Sequence, residues 1–409
     1  MQDKSAKLPL EGLRVLDFGH TVMGPTAGLV LADLGAEVIR VEPSPNGDPT
    51  RELRGFGTGY FPFYNRNKKS LAVDLKSEEG REVVRKLVTV SDVMLENFGP
   101  GTIDRLGFGY DTVSALNPRI VYLSMKGFLP GPYEKRTALD EVVQMMSGLA
   151  YMTGPPGQPL RAGASIVDVM GGLFGVLGVL VALRQREATG RGTLVKSSLF
   201  ESAMFLMGQH LAYASISGEP VPPMPARVSA WAIYDLFATA DGEQVFLGIT
   251  SDRHWKLFCD EFDRPDLFAQ ERLVTNNQRI AEKAWLKPEI GRMLEAMSVS
   301  EIEAKSVLAG LPFAHVARPE QMFEDEHLLA GERLLETRLP DGTVTSLPAL
   351  PLLIGDYACK LRIDPPAAGG DTRAIMRELG YDAAAIESLL DRQILLEDGW
   401  SKTPEARLA

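Results

Sequence analysis

The sequence predicts an α/β protein: a parallel, Rossmann-like sheet with flanking helices, followed by a smaller second domain. Three observations carry this. The chain opens with a strand–helix–strand pattern, the same alternation recurs over the first 150 residues, and the texture changes near residue 220. Two β-rich runs joined by a helix imply parallel strands, since parallel neighbours need a crossover connection and a helix commonly supplies it.

Arg14 to Phe18 is the first short β-rich run. A turn at Gly19 to Pro25 leads into a helical stretch, Thr26 to Leu34, which Gly35 ends in the position where glycine closes helices. Glu37 to Glu42 is the next strand, and Ser70 to Asp74 another. Glu78 to Thr89 places Val83, Val84, Leu87 and Val88 on one helical face. Val93 to Glu96 and Ile120 to Lys126 read as strands, and Glu141 to Ala150 as a helix. The longest uncharged run, Val169 to Leu183, is shorter than the roughly 20 residues a membrane span needs, and reads as a buried core helix. Pro220, Pro222, Pro223 and Pro225 suit a linker. Beyond it, Trp231 to Phe237 and Gln244 to Ile249 flank Asp241-Gly242 as a hairpin. The segment 369–390 is helical again, which would let it return to the first domain.

The 409 residues carry a formal charge of −11, with 45% hydrophobic and 24% charged residues. That is an ordinary globular balance, long enough for two domains. A nucleic acid or an anionic membrane is not expected as partner, since both demand basic surface. Cys259 and Cys359 have no close companions, which fits a reducing compartment. Five scattered histidines offer no metal-ligand spacing, so no metal site is expected. Met1 to Gly12 is polar and lacks the apolar core of a signal peptide, so a cytoplasmic location is expected.

Glu42, at the end of the second strand, superficially suits dinucleotide binding. That chemistry needs G-x-G-x-x-G, so that backbone amides can approach a pyrophosphate. The turn here, Gly19-His20-Thr21-Val22-Met23-Gly24, lacks the central glycine. A nicotinamide cofactor is therefore not expected.

Asp168 immediately precedes the long apolar run. Read alone it is a helix N-cap, a carboxylate accepting hydrogen bonds from the first free amides and favoured in its charged form. Gly171 and Gly172 serve either tight helix packing or close backbone approach to a substrate oxyanion.

An ordered set of longer stretches resembles the class III coenzyme A transferases, a family that also includes α-methylacyl-CoA racemases. It begins with Leu16-Asp17-Phe18, Gly24-Pro25 and Leu34 through Glu42. It continues at Gly47 through Arg51, Asn65 through Ser70, Glu96 through Gly101 and Arg105-Leu106-Gly107. Further matches are Asp140 with Gln144, Ser147-Gly148, Asp168 with Gly171-Gly172, Thr189 through Gly192, Gly370-Asp371-Thr372 and Leu379-Gly380-Tyr381.

The resemblance implies a Rossmann-like large domain built from both chain ends (residues 1–220 and 330–409), a small α/β domain with linkers (221–329), and an interlocked homodimer. It implies transfer of CoA from an acyl-CoA to a small carboxylic acid, with the CoA thioester as substrate and no tightly bound cofactor. By the same resemblance Asp168 is the nucleophile. Asn97 and Phe98 would lie beside the adenine, Lys76 and Arg105 near the phosphates, and Val73 on the strand lining the CoA site.

Val22 and Met23 stand where formyl-CoA transferases carry Gln-Ala, so an apolar wall is expected in the substrate pocket. The racemase branch needs a histidine beside Asp140, and Leu139 stands there. Leucine cannot shuttle a proton, which favours transfer over racemisation. A non-catalytic acyl-CoA binding protein could dispense with Asp168, which this chain keeps. Arg136, Arg161 and Arg227 are candidates for holding a second carboxylate, as in a dicarboxylate such as succinate.

Overall fold

The structure, a computed structural model, describes residues 8–226, 230–339 and 341–397. Arg227 lies outside the described residues. The chain divides into two compact units, residues 1–225 with 330–409, and residues 226–329.

In the larger unit β1 (Arg14–Phe18) leads through α1 (Met23–Asp33) to β2 (Glu37–Pro43). A short helix α2 (Tyr60–Tyr64) precedes β3 (Lys68–Val73), and α3 (Glu78–Thr89) connects it to β4 (Val93–Glu96). Then come α4 (Thr102–Arg105), α5 (Tyr110–Leu116), β5 (Val121–Lys126), α6 (Asp140–Met146) and α7 (Leu149–Thr153). The long α8 (Ile166–Thr189) runs into β6 (Leu194–Ser198), followed by α9 (Leu199–Leu206) and α10 (Gly208–Ser217).

The six strands are parallel, in the order β3-β2-β1-β4-β5-β6, and Leu395–Leu396 adds a short antiparallel strand at the β3 edge. The C-terminal segment therefore joins the sheet started by the N-terminus. Apolar residues fill both faces: one cluster gathers α1 and α8 side chains, the other α3 and the C-terminal helices. On α3, Val83, Val84, Leu87 and Val88 are buried, and Ser77 caps its start through Gly80 N. Every residue of α1 is buried, as expected for a helix covered on all sides.

The structure differs from the sequence expectations in several places. The predicted helix over 141–150 is two helices, because Gly148 takes a left-handed φ of 86° between them. The strand placed at Ser70 starts two residues earlier, since Lys68 is buried through an ion pair rather than exposed. The apolar run at Val169 belongs to a longer helix, α8, that is only half buried. Leu173, Leu177 and Val181, spaced four apart, are exposed on one face. By length and apolarity α8 alone among the described helices meets the requirement for a membrane span. Its other face packs on the sheet and on α1.

The smaller unit is built on an antiparallel three-stranded sheet, β7 (Ile233–Ala238), β8 (Gln244–Ile249) and β9 (Phe313–His315). Gly242, at a φ of 78°, turns the β7–β8 hairpin. Helices between Asp252 and Leu308 cover the sheet, with Trp255, Phe258 and Leu286 in the core.

Candidate active site

The strand order reverses direction between β1 and β4, and ligands of doubly wound sheets bind outside the carboxyl ends of the strands at such a point. Here β1 leads into Gly19-His20-Thr21, and β4 leads into Asn97-Phe98. The Asn97 carboxamide accepts a hydrogen bond from His20 N (2.7 Å) and donates one to His20 O (3.0 Å). It clamps the β1–α1 turn and has committed both its polar atoms to do so. A Cβ on Gly24 would lie 2.6 Å from Asn97 Oδ1, so only glycine fits there. The His20 ring tilts over Phe98 with centroids 5.4 Å apart. A cavity of about 400 Å³ opens beside them, lined also by Thr21, Arg40, Pro43 and Asp48. Burial, with help from Arg40, holds the His20 imidazole below its usual range, so it is neutral at pH 7.

Buried charges brace this turn from beneath. Lys68 Nζ donates to Asp17 (2.7 Å), the Pro25 carbonyl (3.0 Å) and Asn65 (3.1 Å). Arg40 bridges Asp48 and the Gly19 carbonyl. Glu42 receives two hydrogen bonds from Arg51, at 2.8 and 2.6 Å, and one each from Ser70 and Asp48 N. That carboxylate is fully engaged in structure, so it is not free to hold a ribose.

Asp168 is not the N-cap that its place before the apolar run suggested. α8 begins at Ile166, and Asp168 is its third residue. The cap comes from another helix: the buried Asp140 carboxylate of α6 accepts from Val167 N (2.9 Å) and Asp168 N (3.1 Å). Asp140 also accepts from Gln144 (2.6 Å) and lies 3.9 Å from Arg161, which pairs with Glu141. Asp140 thus takes over the first amides, leaving the half-buried Asp168 carboxylate without a hydrogen bond among the described residues.

The electrostatic consequence reverses the expectation for a carboxylate at a helix start. Burial, and then the Asp140 charge, push Asp168 up to about 7, with Arg161 opposing. Near neutral pH it exists as both acid and anion. Tyr64, at the end of α2, feels Asp168 and Asp140 as well. Burial and these carboxylates push its hydroxyl up to about 12.

The glycines after Asp168 are there for packing. A Cβ on Gly171 would collide with the Met23 methyl, and one on Gly172 would lie 2.7 Å from the Met23 carbonyl oxygen. α8 can therefore approach α1 closely, bringing Met23 within one helical turn of Asp168. Val22, beside Met23, is buried. Leu139 precedes α6 with 64% of its surface exposed, next to Asp140.

Of the remaining predicted residues, Lys76 follows β3 and Arg105 closes α4. Both are exposed at the carboxyl edge of the sheet, and Arg105 donates to Thr102. Val73 is wholly buried in the core and pairs with Leu395. Sequence reasoning gave no role to Asp140, His20 or Tyr64. The i, i+4 spacing of Asp140 and Gln144 was the available signal for the first. For His20 and Tyr64 no local pattern exists, because their neighbours come from distant segments.

The family model described as CoA-transferase family III matches residues 10–372. The chain belongs to CoA-transferase family III. It is 33% identical to an acyl-CoA transferase of Fusarium pseudograminearum, covering 93% of this chain and 87% of that protein. It is 31% identical to a succinyl-CoA:glutarate CoA-transferase of Mus musculus, over 95% of this chain and 90% of the relative. An acetyl-CoA:oxalate CoA-transferase of Acetobacter aceti is 37% identical, over 70% and 75% of the two chains. Among solved structures, a CAIB/BAIF family protein from Brucella suis superposes with a TM-score of 0.83 at 29% identity, covering 91% of this chain and all of that one. The protein is accordingly a family III CoA-transferase, acting on a CoA thioester and a carboxylic acid.

Proposed function

We propose that this CoA-transferase moves CoA from succinyl-CoA to a small carboxylic acid, with Asp168 as the covalent nucleophile. The observation that carries this is the free carboxylate of Asp168, seated at the start of α8 without any hydrogen-bond partner among the described residues. A purely structural aspartate at a helix start would be spending its oxygens on amides, and here Asp140 does that work.

In this reading an Asp168 oxygen attacks the thioester carbon, the C–S bond breaks, and CoA leaves as thiolate from a mixed anhydride. The thiolate attacks the Asp168 carbonyl, forming an aspartyl-CoA thioester and releasing the donor acid. The acceptor carboxylate attacks that thioester, and returning thiolate completes the exchange through a second anhydride. Each step exchanges one acyl bond for another, so the sequence splits one difficult transfer into easier ones. The cavity at the switch point, with Phe98 and His20, would take part of the CoA, and the exposed Lys76 and Arg105 its phosphates. The exposed Leu139 gives the acyl site an apolar wall, while Met23 is packed in the core against Gly171. Relatives named for glutarate, D-citramalate and L-malate, each with succinyl-CoA, support a dicarboxylate acceptor and that donor. Arg161, beside Asp140, is a candidate to meet a second carboxylate.

The racemase alternative needs a proton shuttle where Leu139 stands, and a non-catalytic binding role would leave the free Asp168 unexplained. Incubation with succinyl-CoA and hydroxylamine tests the choice. A hydroxamate on Asp168 supports the transferase. Deuterium entering the α-carbon of a branched acyl-CoA, without CoA exchange, refutes it.

The family resemblance further implies an interlocked homodimer. The apolar stripe of Leu173, Leu177 and Val181 on α8, with Phe205 and Ile216 exposed nearby in sequence, supports a second copy as its cover. Sedimentation at working concentration checks it, and a monomer there refutes it.

A further inference from the structure

We infer that Lys126 is a positioning residue for the nucleotide end of CoA: with Glu96 it locks the backbone of Phe98, and so sets the ring that faces the cavity at the switch point. The inference rests on the reading above that this cavity takes part of the CoA.

The clamp forms where one strand outlasts its neighbour. β4 stops at Glu96, opposite Ser124 of β5, while β5 runs two residues further to Lys126. Ser124 and Lys126 lie two apart on one strand, so their side chains share a face of the sheet. Both reach Glu96, whose side chain is fully buried. Ser124 Oγ donates to Oε1 at 2.6 Å, and Lys126 Nζ donates to Oε2 at 2.6 Å. The same Oε2 accepts from Phe98 N at 3.0 Å, and the same Nζ donates to the Phe98 carbonyl at 2.7 Å. One ion pair thus holds both backbone polar groups of Phe98, at the point where the strand ladder has ended. Asn97 meanwhile holds the backbone of His20. The two clamps meet at the rings of His20 and Phe98, which both line the cavity.

The lining of that cavity suits a flat ring. Phe18, His20, Val41, Pro43 and Phe98 bring apolar or aromatic surface to it. Adenine is the one flat ring of CoA, whereas the pantetheine arm is a flexible chain and the phosphates are charged. A base gains from stacking on an aromatic side chain, and that gain is largest when the ring need not be ordered on binding. Phe98 is only partly buried by its packing on the core, so its backbone anchors decide where the ring stands. Loss of the Lys126 ammonium would release the Phe98 carbonyl. It would also leave Glu96 buried with neutral donors only, which favours a shift of that carboxylate and of the Phe98 amide bound to it.

The test uses Lys126→Met, which keeps the length of the side chain and removes its charge and donors. Titration calorimetry with CoA, and with adenosine bisphosphate as its nucleotide half, should show both Kd values raised about tenfold, within the worth of one base–aromatic stack. With succinyl-CoA and glutarate, kcat at saturation should change less than about threefold, as for loss of binding shared by ground and transition states. Lys126→Arg, which keeps charge and donors, should recover most of the affinity. A double-mutant cycle separates positioning from direct contact: in a Phe98→Ala background, Lys126→Met should raise the Kd of CoA by less than about threefold. A full tenfold rise there would mean that Lys126 acts on the ligand without Phe98, and overturns the inference. So do unchanged Kd values for Lys126→Met when Phe98→Ala alone weakens CoA. If Phe98→Ala leaves both Kd values unchanged, the cavity does not take the nucleotide, and the reading beneath the inference falls with it. Should Lys126→Met not fold, Glu96→Gln combined with Lys126→Met, which leaves no buried charge, goes through the same measurements.

Discussion

Replacing Asp168 with asparagine should stabilise the protein at pH 8 and leave it nearly unchanged at pH 4. The side chains are isosteric, and no hydrogen bond to the carboxylate is lost, because Asp140 holds the local amides. In the folded protein Asp168 titrates at about 7, raised first by burial and then by Asp140. In the unfolded chain an aspartate titrates near 3.9. Between these values the folded state holds a proton that the unfolded state has released, so stability is lost as pH rises through that window. Three units at about 1.4 kcal/mol each give an upper limit of about 4 kcal/mol above pH 7. Partial solvent contact brings the expected effect nearer to about 2 kcal/mol. A unit of about 300 residues unfolds with roughly 0.6 kcal/mol per kelvin of entropy. The Tm of Asp168→Asn should therefore exceed that of the parent by about 3–6 °C at pH 8. Calorimetric scans of both proteins at pH 4, 6 and 8 measure it. Equal Tm differences at all three pH values, or a less stable variant at pH 8, would show that Asp168 is not a strained carboxylate.

The remaining predictions concern the shell around it. Asp140→Asn keeps an acceptor for Val167 N and Asp168 N but removes the charge that raises Asp168, so the acid limb of kcat/KM should move down by about one pH unit. Titration of the CoA phosphates is common to both proteins and cancels in the difference; an unmoved limb refutes the coupling. Gly172→Ala places a methyl against the Met23 carbonyl and should cost about 1–3 kcal/mol in denaturant unfolding, because backbone cannot rotate away. A neutral result there would mean that α8 is free to shift from α1. Lys68→Met leaves Asp17 buried with only Gly19 N and the more distant Arg40, and should cost about 3 kcal/mol by chemical denaturation. A loss below about 1 kcal/mol would count against a tight buried pair.

Much of the fold was legible because the signals are local. The β1 and β4 runs and the α3 face follow from apolar periodicity within one element. The glycine at the end of α1 and the Asp-Gly turn of the small unit follow from backbone conformations that other residues avoid. Where the reading failed, the deciding contact was remote. The strand expected from Ser70 starts at Lys68, whose buried charge is met by Asp17, 51 residues away. The run Val169 to Leu183 read as a buried core helix, but α8 offers only one face to α1 and the sheet.

Asp168 divides along the same line. The sequence alone determined that a carboxylate stands at the head of an apolar helix, and the ordered motifs around it determined the family. Only tertiary structure decided its chemical state. Asp140, reaching across from α6, takes the amides that a local cap would have used, and places a second negative charge beside a half-buried oxygen pair. Local sequence fixes which group is present. Its ionisation depends on solvent exclusion and on neighbours that only folding brings near.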